Sequence, residues 1–335
     1  MTANHPLVSI GLPTYNGARY IREALDSLVA QDYPSLEILV SDNASTDGTP
    51  AIVEEYAARD ARIRVFRQER NIGAPANFNF VFRETTGPLF MWAADDDRWE
   101  PSYVSECVAA LLGSPSAVLA CTRVVFLDPS GMPRAGVPPL IDNPDLSSPA
   151  VERRVHILLS RGGWYTIYGV IRREALASTR LYLEGFGADV VLTLELALLG
   201  PFVRVPEPLH QIRLFETRTD DDRGTWHNAI PDRERIRAAP WTHLQEAFSK
   251  AIAASPIGQR AKAGARLGMV RAMYLTPTPM RGSIVAEADV RLGIAIRDRD
   301  VYHVLKYAGL KAAVFGHHLV PRAARRAGSR LGRHR

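Results

Sequence analysis

The stretch VSIGLPTYNGARYIREALDSLVAQDYPSLEILVSDNASTDGT, residues 8–49, decides the fold. Its first apolar run, LVSIGL at 7–12, stops at a proline turn, as a buried strand does. ARYIREALDSLVA at 18–30 then spaces Ile21, Leu25, Leu28 and Val29 along one helical face. LEILVSD at 36–42 is a second apolar run, and it ends in an acid. From Pro50 to Ala58 the chain reads as a helix with proline in its first turn, where a missing N–H is harmless. The strands are mostly continuous apolar runs rather than alternating ones, as a parallel sheet covered on both faces requires.

Outward from that stretch the alternation continues. IRVF at 63–66, PLFMWA at 88–93 and VLACTRVVFL at 118–127 read as strands, with helices around 77–85 and from Pro101 to Leu112. About 125 residues of this pattern predict a doubly wound α/β domain. Residues 128–150 are rich in Pro, Gly, Asp and Ser and read as a loop excursion. Residues 151–160 read as a helix, 164–171 as a strand and 188–199 as a helix. After about 220 only helices are expected, at 241–254, 258–275 and 283–298, followed by 301–315 with Val301, Leu305, Ala308, Ala312 and Phe315 on one face. The expected division is a domain at 1–225 and a helical region at 226–335.

Composition narrows the function. The chain has 335 residues, 46% of them apolar, enough for a sizeable core. Its two cysteines, Cys107 and Cys121, exclude a disulfide framework and fit a reducing cytoplasm. No signal peptide and no membrane span are expected. The net charge of +5 is carried by residues 301–335, which hold eight Lys and Arg and no acid. The rest of the chain is slightly acidic, and the tail arginines have no aromatic partners among them, which argues against nucleic acid. The tail reads either as a peripheral anchor for anionic membrane or as a solvated basic segment. The expected location is the cytoplasm, at the inner face of the membrane in the first case.

In doubly wound sheets ligands bind beyond the carboxyl ends of the strands. Three polar stretches fall there: GLPTYNGARY at 11–20, VSDNASTDGTP at 40–50 and MWAADDDRWEP at 91–101. Asp95, Asp96 and Asp97 follow a buried run, so the run delivers three mutually repelling carboxylates to the rim of the sheet. There a divalent cation and a polyphosphate would neutralise them. Carboxylate oxygens suit Mg²⁺ or Mn²⁺, and Mg²⁺ keeps few protein ligands and takes the rest from phosphate and water. The bland alternatives are a cap for the helix near Pro101 and, at Asp42 to Asp47, turn and cap chemistry. No GxGxxG, GxxxxGK[ST], HExxH, Cys/His zinc spacing or GxSxG elbow serves the first strand, so dinucleotide oxidoreductases, P-loop enzymes and nucleophile-elbow hydrolases lose weight.

These blocks, with NIGAPANFN at 71–79, GPLFMWAADDDRWEP at 87–101 and the segment from RREAL through FGADVVLTLELALLG at 172–200, resemble family 2 glycosyltransferases of the GT-A fold. The resemblance covers about 200 residues and leaves 220–335 without a motif. It implies a GT-A type, mostly parallel sheet with helices on both faces, a helical C-terminal region, and an inverting, metal-dependent transfer. Pro13, Thr14 and Tyr15 resemble the segment cradling the nucleotide base, and Asp42 the acid that bonds it. Asn16, Asn43 and Asn71 lie in the same matched blocks as donor-binding candidates. Asp95 resembles the ribose-binding acid and Asp96 the metal ligand, with Asp97 beside it as a second metal candidate. Asp189 resembles the base that deprotonates the acceptor hydroxyl. The chain departs from the common pattern at Ala94, Phe78 and Ala188, where many members carry an acid, an arginine and an acid. The QxxRW motif of processive synthases is absent, which argues for transfer of one sugar.

The implied donor is a nucleotide diphosphate sugar held with Mn²⁺ or Mg²⁺, and the implied acceptor a saccharide or lipid-linked sugar of cell-envelope polysaccharide or glycolipid assembly. Glu184 competes with Asp189 for the base, whose bland alternative is a helix cap, and Glu195 is expected to face solvent or an arginine. Trp92, Trp99 and Trp164 are stacking candidates, with core packing favoured for Trp92. His210 and Arg213 are weaker candidates for the pyrophosphate. A sugar-phosphate nucleotidyltransferase also puts aspartates at strand ends, but wants a Gly-rich basic loop that GLPTYNGARY does not supply. An inactive membrane-bound binding module has little reason to keep both Asp96 and Asp189.

Overall fold

A computed structural model describes residues 5–134, 136, 142–161, 164–215, 240–276, 284 and 287. The elements run β1 (Val8–Thr14), α1 (Ile21–Val29), β2 (Leu36–Asp42), α2 (Thr49–Arg59), β3 (Ile63–Arg67), α3 (Ala74–Arg83), β4 (Leu89–Trp92), β5 (Arg98–Trp99), α4 (Tyr103–Gly113) and β6 (Leu119–Leu127). Then come α5 (Val151–Arg161), a 3₁₀ turn (Trp164–Tyr168), β7 (Val170–Arg172), α6 (Arg173–Ala177), α7 (Ala188–Leu199) and β8 (Phe202–Arg213). Two more helices, α8 (Pro240–Ala254) and α9 (Gln259–Val270), follow, the latter running into a π-helical turn at Arg271–Leu275. Among the described residues no helix is long and apolar enough to cross a membrane.

The strands form one mixed sheet in the order β3-β2-β1-β4-β7-β6-β8-β5. β1 pairs in parallel with β2 on one side and β4 on the other, and β2 pairs in parallel with β3. β7 and β5 run antiparallel to their neighbours. The chain thus winds outward from β1 to β3 and then crosses back to the far side of β1. That reversal opens a crevice between β1 and β4, the place where such sheets bind ligands.

Alternate side chains serve two cores, as a strand period of two dictates. Val8, Ile10, Leu12, Ile38, Val40, Leu89 and Met91 pack under α1, α2 and α4. Leu39, Phe90 and Trp92 point the other way, into a larger core with α3, α5, α7, α8 and α9. Val190 through Leu198 of α7 are all buried, so this helix is covered all round and is mostly apolar, with buried Thr193 and Glu195 as its polar members. Cys107 and Cys121 are free and buried, as small hydrophobes.

Two local expectations are corrected. WYTIYGVI forms a 3₁₀ turn and only a three-residue strand, because the backbone bends at Gly169, whose N–H bonds the Thr166 carbonyl at 2.9 Å. FVRVPEPLHQIR, with prolines at 206 and 208, is nevertheless a twelve-residue strand. Its register against β6 shifts between Thr122 and Val124, so the prolines sit in the irregular stretch where no ladder N–H is needed. No aspartate caps α4: Ser102 holds the N-cap position with no side-chain hydrogen bond. The helices expected at 283–298 and 301–315, and the basic tail, lie outside the described residues apart from Ile284 and Glu287.

Candidate active site

The crevice between β1 and β4 gathers most of the candidates. In the β1–β2 register Thr14 stands opposite Asp42, and Pro13 is buried in the same pairing. Beyond β4 the Ala93 N–H bonds the Gly11 carbonyl at 2.9 Å, which carries the aspartates alongside the end of β1. There Thr14 donates its hydroxyl to Asp95 Oδ2 at 2.5 Å, a bond across the switch point between residues 81 apart. Gly17 lets the next loop pass close by: a Cβ there would lie 2.4 Å from that same carboxylate oxygen.

The loops after β1 and β2 are laced into one wall. Asn16 donates its backbone N–H to Ser45 Oγ and accepts from the Thr46 N–H, both at 2.9 Å. Asp47 accepts from the N–H groups of Ala18 and Thr49. Those bonds outweigh the cost of partial burial and hold its carboxyl below the usual range. Asn43 donates to Asn71 at 2.9 Å and accepts from Ile72 N–H at 2.8 Å. The side-chain oxygens of Asn16, Asn43 and Asn71 therefore already bond protein N–H groups within the wall. Tyr15 is half-buried beside them. Asp42 differs. It is fully buried, accepts the Ser45 N–H on Oδ1, and has no hydrogen-bond donor for Oδ2, whose nearest cation is Arg67 Nε at 3.4 Å.

The three aspartates are sorted by their surroundings. Asp95 and Asp96 are half-buried at the rim. Asp97 is buried and turned inward: it accepts the Arg213 N–H on Oδ1 at 3.0 Å, and His210 Nε2 lies 3.2 Å from Oδ2. His210 stacks on Trp99 at 5.1 Å, so Trp99 is a packing residue for the loop and, like Trp92, part of the interior. The Trp164 side chain lies outside what is described. Arg213 is the strut behind the loop. Its buried guanidinium donates to the Asp96 carbonyl at 3.1 Å, to Glu23 at 2.8 Å and to the Pro129 carbonyl at 3.2 Å, and lies 4.4 Å from the centre of the Tyr20 ring. Among the described residues no group of three or more His, Cys, Asp or Glu side chains is arranged to hold a metal ion.

Asp189 sits in the first turn of α7, after Gly187 in the left-handed conformation. Burial pushes its carboxyl above the ordinary range, against the opposing pull of the Val190 and Asp189 backbone N–H groups. Tyr182 links it to β4: its ring packs edge-on against Trp92 at 5.1 Å and at a tilt against Phe78 at 4.7 Å. Burial, aided by Tyr168 and Asp189, lifts the Tyr182 phenol well above its usual value. Asn79 fixes this segment by bonding both the N–H and the carbonyl of Tyr182. Glu184 is exposed, and Glu195 is buried and paired with Arg180.

Residues 9–158 match the family model described as glycosyl transferase family 2. That segment belongs to the family. The chain is 32% identical over 233 residues to an uncharacterized protein of Mycobacterium tuberculosis, an alignment covering 68% of this chain and 63% of that one. The chain thus spans about three-fifths of the length of its mycobacterial relatives. Over 100 residues it is 36% identical to the putative teichuronic acid biosynthesis glycosyltransferase TuaG of Bacillus subtilis, covering 30% of this chain and 40% of TuaG. Its fold is similar to S. aureus TarS 1-349, solved with UDP-GlcNAc, at TM-score 0.62 and 17% identity, covering 96% of this chain and 92% of that one. It is also similar to the mannosyltransferase PcManGT of Pyrobaculum calidifontis, solved with GDP-Man and Mn²⁺, at TM-score 0.53 and 17% identity, covering 95% and 87%. Both likenesses establish the GT-A fold for this chain.

Sequence reasoning missed the Arg213 strut and the Asp97–His210 pair. The signal was present but indirect. Three carboxylates at the end of a buried strand need N–H donors behind them, and LHQIR at 209–213 is an apolar stretch that carries a histidine and an arginine.

Proposed function

We propose that the chain transfers one sugar from a nucleotide diphosphate sugar to an acceptor hydroxyl, with inversion at the anomeric carbon. The observation that carries this reading is the pairing at the switch point: Thr14 and Asp95 join across the crevice, with the buried, donor-less Asp42 Oδ2 one strand away. An orphaned buried acceptor suits the N–H of a nucleobase. The hard oxygens of Asp95 and Asp96 suit a divalent ion and a ribose hydroxyl, and an ion held by one or two carboxylates draws its other ligands from phosphates and water. A bound Mn²⁺ or Mg²⁺ there supplies positive charge to the diphosphate leaving group. Asp96 is the metal ligand in this reading, Asp95 the ribose acceptor, and Asp97 the anchor that fixes both. Asp189 takes the proton from the acceptor hydroxyl. The acceptor is a saccharide or lipid-linked sugar of the cell envelope, which the likeness to TuaG supports.

The test is a thermal-shift screen of nucleotide sugars, UDP-GlcNAc and GDP-Man among them, with and without Mn²⁺, on wild type and Asp96→Ala. A ligand at a hundred times its dissociation constant stabilises the fold by about 2.7 kcal/mol. One donor is expected to give a metal-dependent shift that Asp96→Ala abolishes. No shift for any donor in the folded wild type refutes the reading.

Gly17→Ala probes the same wall. The added methyl displaces Asp95 from Thr14, and loss of one charge-assisted hydrogen bond weakens binding by about tenfold. Calorimetric titration of the donor is expected to show that loss without a change in stoichiometry.

A further inference from the structure

The described helix farthest along the chain carries a face that the proposed transfer does not use. α9 buries Ala265, Gly268 and Met269. Gly268 lies so close to α5 that a Cβ would stand 2.3 Å from the Glu152 carbonyl oxygen, so the orientation of α9 is set by backbone contact. Arg260, Ala263, Arg266, Leu267, Val270 and Arg271 are exposed on the other side. At 3.6 residues per turn these six span an arc of about 140°. Val270 and Leu267 occupy its middle, Arg266 one flank, and Arg260 and Arg271 the other. Leu267 is 53% and Val270 39% exposed, and Leu275 in the following turn is 41% exposed. Residues 247–286 contain six basic residues and no acidic one.

We propose that this face of α9 docks on an anionic lipid bilayer. Charge complementarity selects the occupant. The flanking arginines meet lipid phosphates, while Leu267, Val270 and Leu275 enter the boundary between headgroups and acyl chains. A nucleic acid would use the arginines but has no use for an exposed apolar stripe between them. Among the described residues, Arg271 is the arginine of this face with an acidic neighbour, Glu152 at 3.6 Å. The inference extends the reading of a membrane-linked acceptor, yet its test needs neither donor nor acceptor, so the two fail separately.

The experiment is co-sedimentation of the full chain with phosphatidylcholine vesicles, with and without phosphatidylglycerol. Binding is expected only to the anionic vesicles and to weaken with salt. The eight basic residues at 301–335 also favour such vesicles, so the contribution of α9 is read as a difference between variants. Leu267→Ser with Val270→Ser is expected to reduce partitioning by about tenfold or more. Arg260→Gln and Arg266→Gln are each expected to reduce it by about fivefold. All four side chains are exposed, so unchanged melting curves confirm intact folds. The proposal is overturned if wild type ignores anionic vesicles, or if the Leu267/Val270 variant partitions as wild type does. Retention on duplex DNA that falls with the arginine changes and ignores the apolar ones would also overturn it, in favour of a nucleic-acid surface.

Discussion

Asp189→Asn is expected to lower kcat by about 10²–10⁴-fold, the range a positioned general base contributes, while leaving the fold as stable as before or slightly more so. The two halves of that expectation share one cause. Burial raises the carboxyl of Asp189 in the folded chain. A group raised on folding stabilises the fold below its unfolded pKa, and that stability is lost as pH rises through the folded pKa. At neutral pH the ionised carboxylate is therefore a net cost to folding, which the amide removes, while its oxygen still accepts the helix N–H groups. The same elevation places the acid limb of kcat/KM above the ordinary aspartate range, and that limb should vanish in the variant. A merely structural acid at a helix start gives the opposite pattern. Its removal costs up to about 1 kcal/mol of stability through the helix dipole and leaves turnover intact. Urea midpoints and pH profiles on both proteins separate the cases.

The first half of the chain was legible because its strands are buried on both faces. β1 and β2 appear as unbroken apolar runs, and their ends are marked by the residues that the loops need. β8 was illegible for a specific reason. Prolines at 206 and 208 signal a break, and only the register shift against β6, a long-range property, makes them tolerable within a strand. β7 failed in the other direction: its apolar composition fits a strand, but the turn before it is set by pairing partners distant in sequence.

At the site, spacing put the aspartates at the rim but could not sort them. Asp95, Asp96 and Asp97 are chemically identical, and what separates them is a strand that begins more than a hundred residues later. His210 and the Arg213 N–H hold Asp97 inward, and Thr14 receives Asp95. The asparagines illustrate the same limit. Asn16, Asn43 and Asn71 sit at ligand-facing loop positions in sequence, yet their side-chain oxygens bond neighbouring loop backbone and side chains. Their contribution is to hold the wall rigid, as a preorganised site demands.

Arg213→Met is expected to lower stability by about 3 kcal/mol and to reduce kcat/KM by about a hundredfold in the molecules that remain folded. The stability loss follows from the donors removed. Glu23 loses its buried partner, and the Asp96 and Pro129 carbonyls lose theirs. Glu23 keeps its pairing with Arg98 at 3.3 Å and is 42% exposed, so water relieves part of the cost and the loss stays below that of a fully buried pair. Methionine fills much of the volume over Tyr20, which limits any cavity contribution. The activity loss has a separate origin. Arg213 Nε holds the backbone of Asp96, the residue assigned to the metal, and a carboxylate displaced by about 1 Å can lose two orders of magnitude. Arg213→Lys divides the two effects: it restores the charge beside Glu23 but cannot reproduce the planar fork that reaches several acceptors at once. Stability should therefore recover more than activity, and the Mn²⁺ concentration needed for half-maximal rate should stay raised. If activity per folded molecule, measured below both unfolding transitions, is unchanged in Arg213→Met, the strut supports the fold alone and Asp96 is positioned by something else.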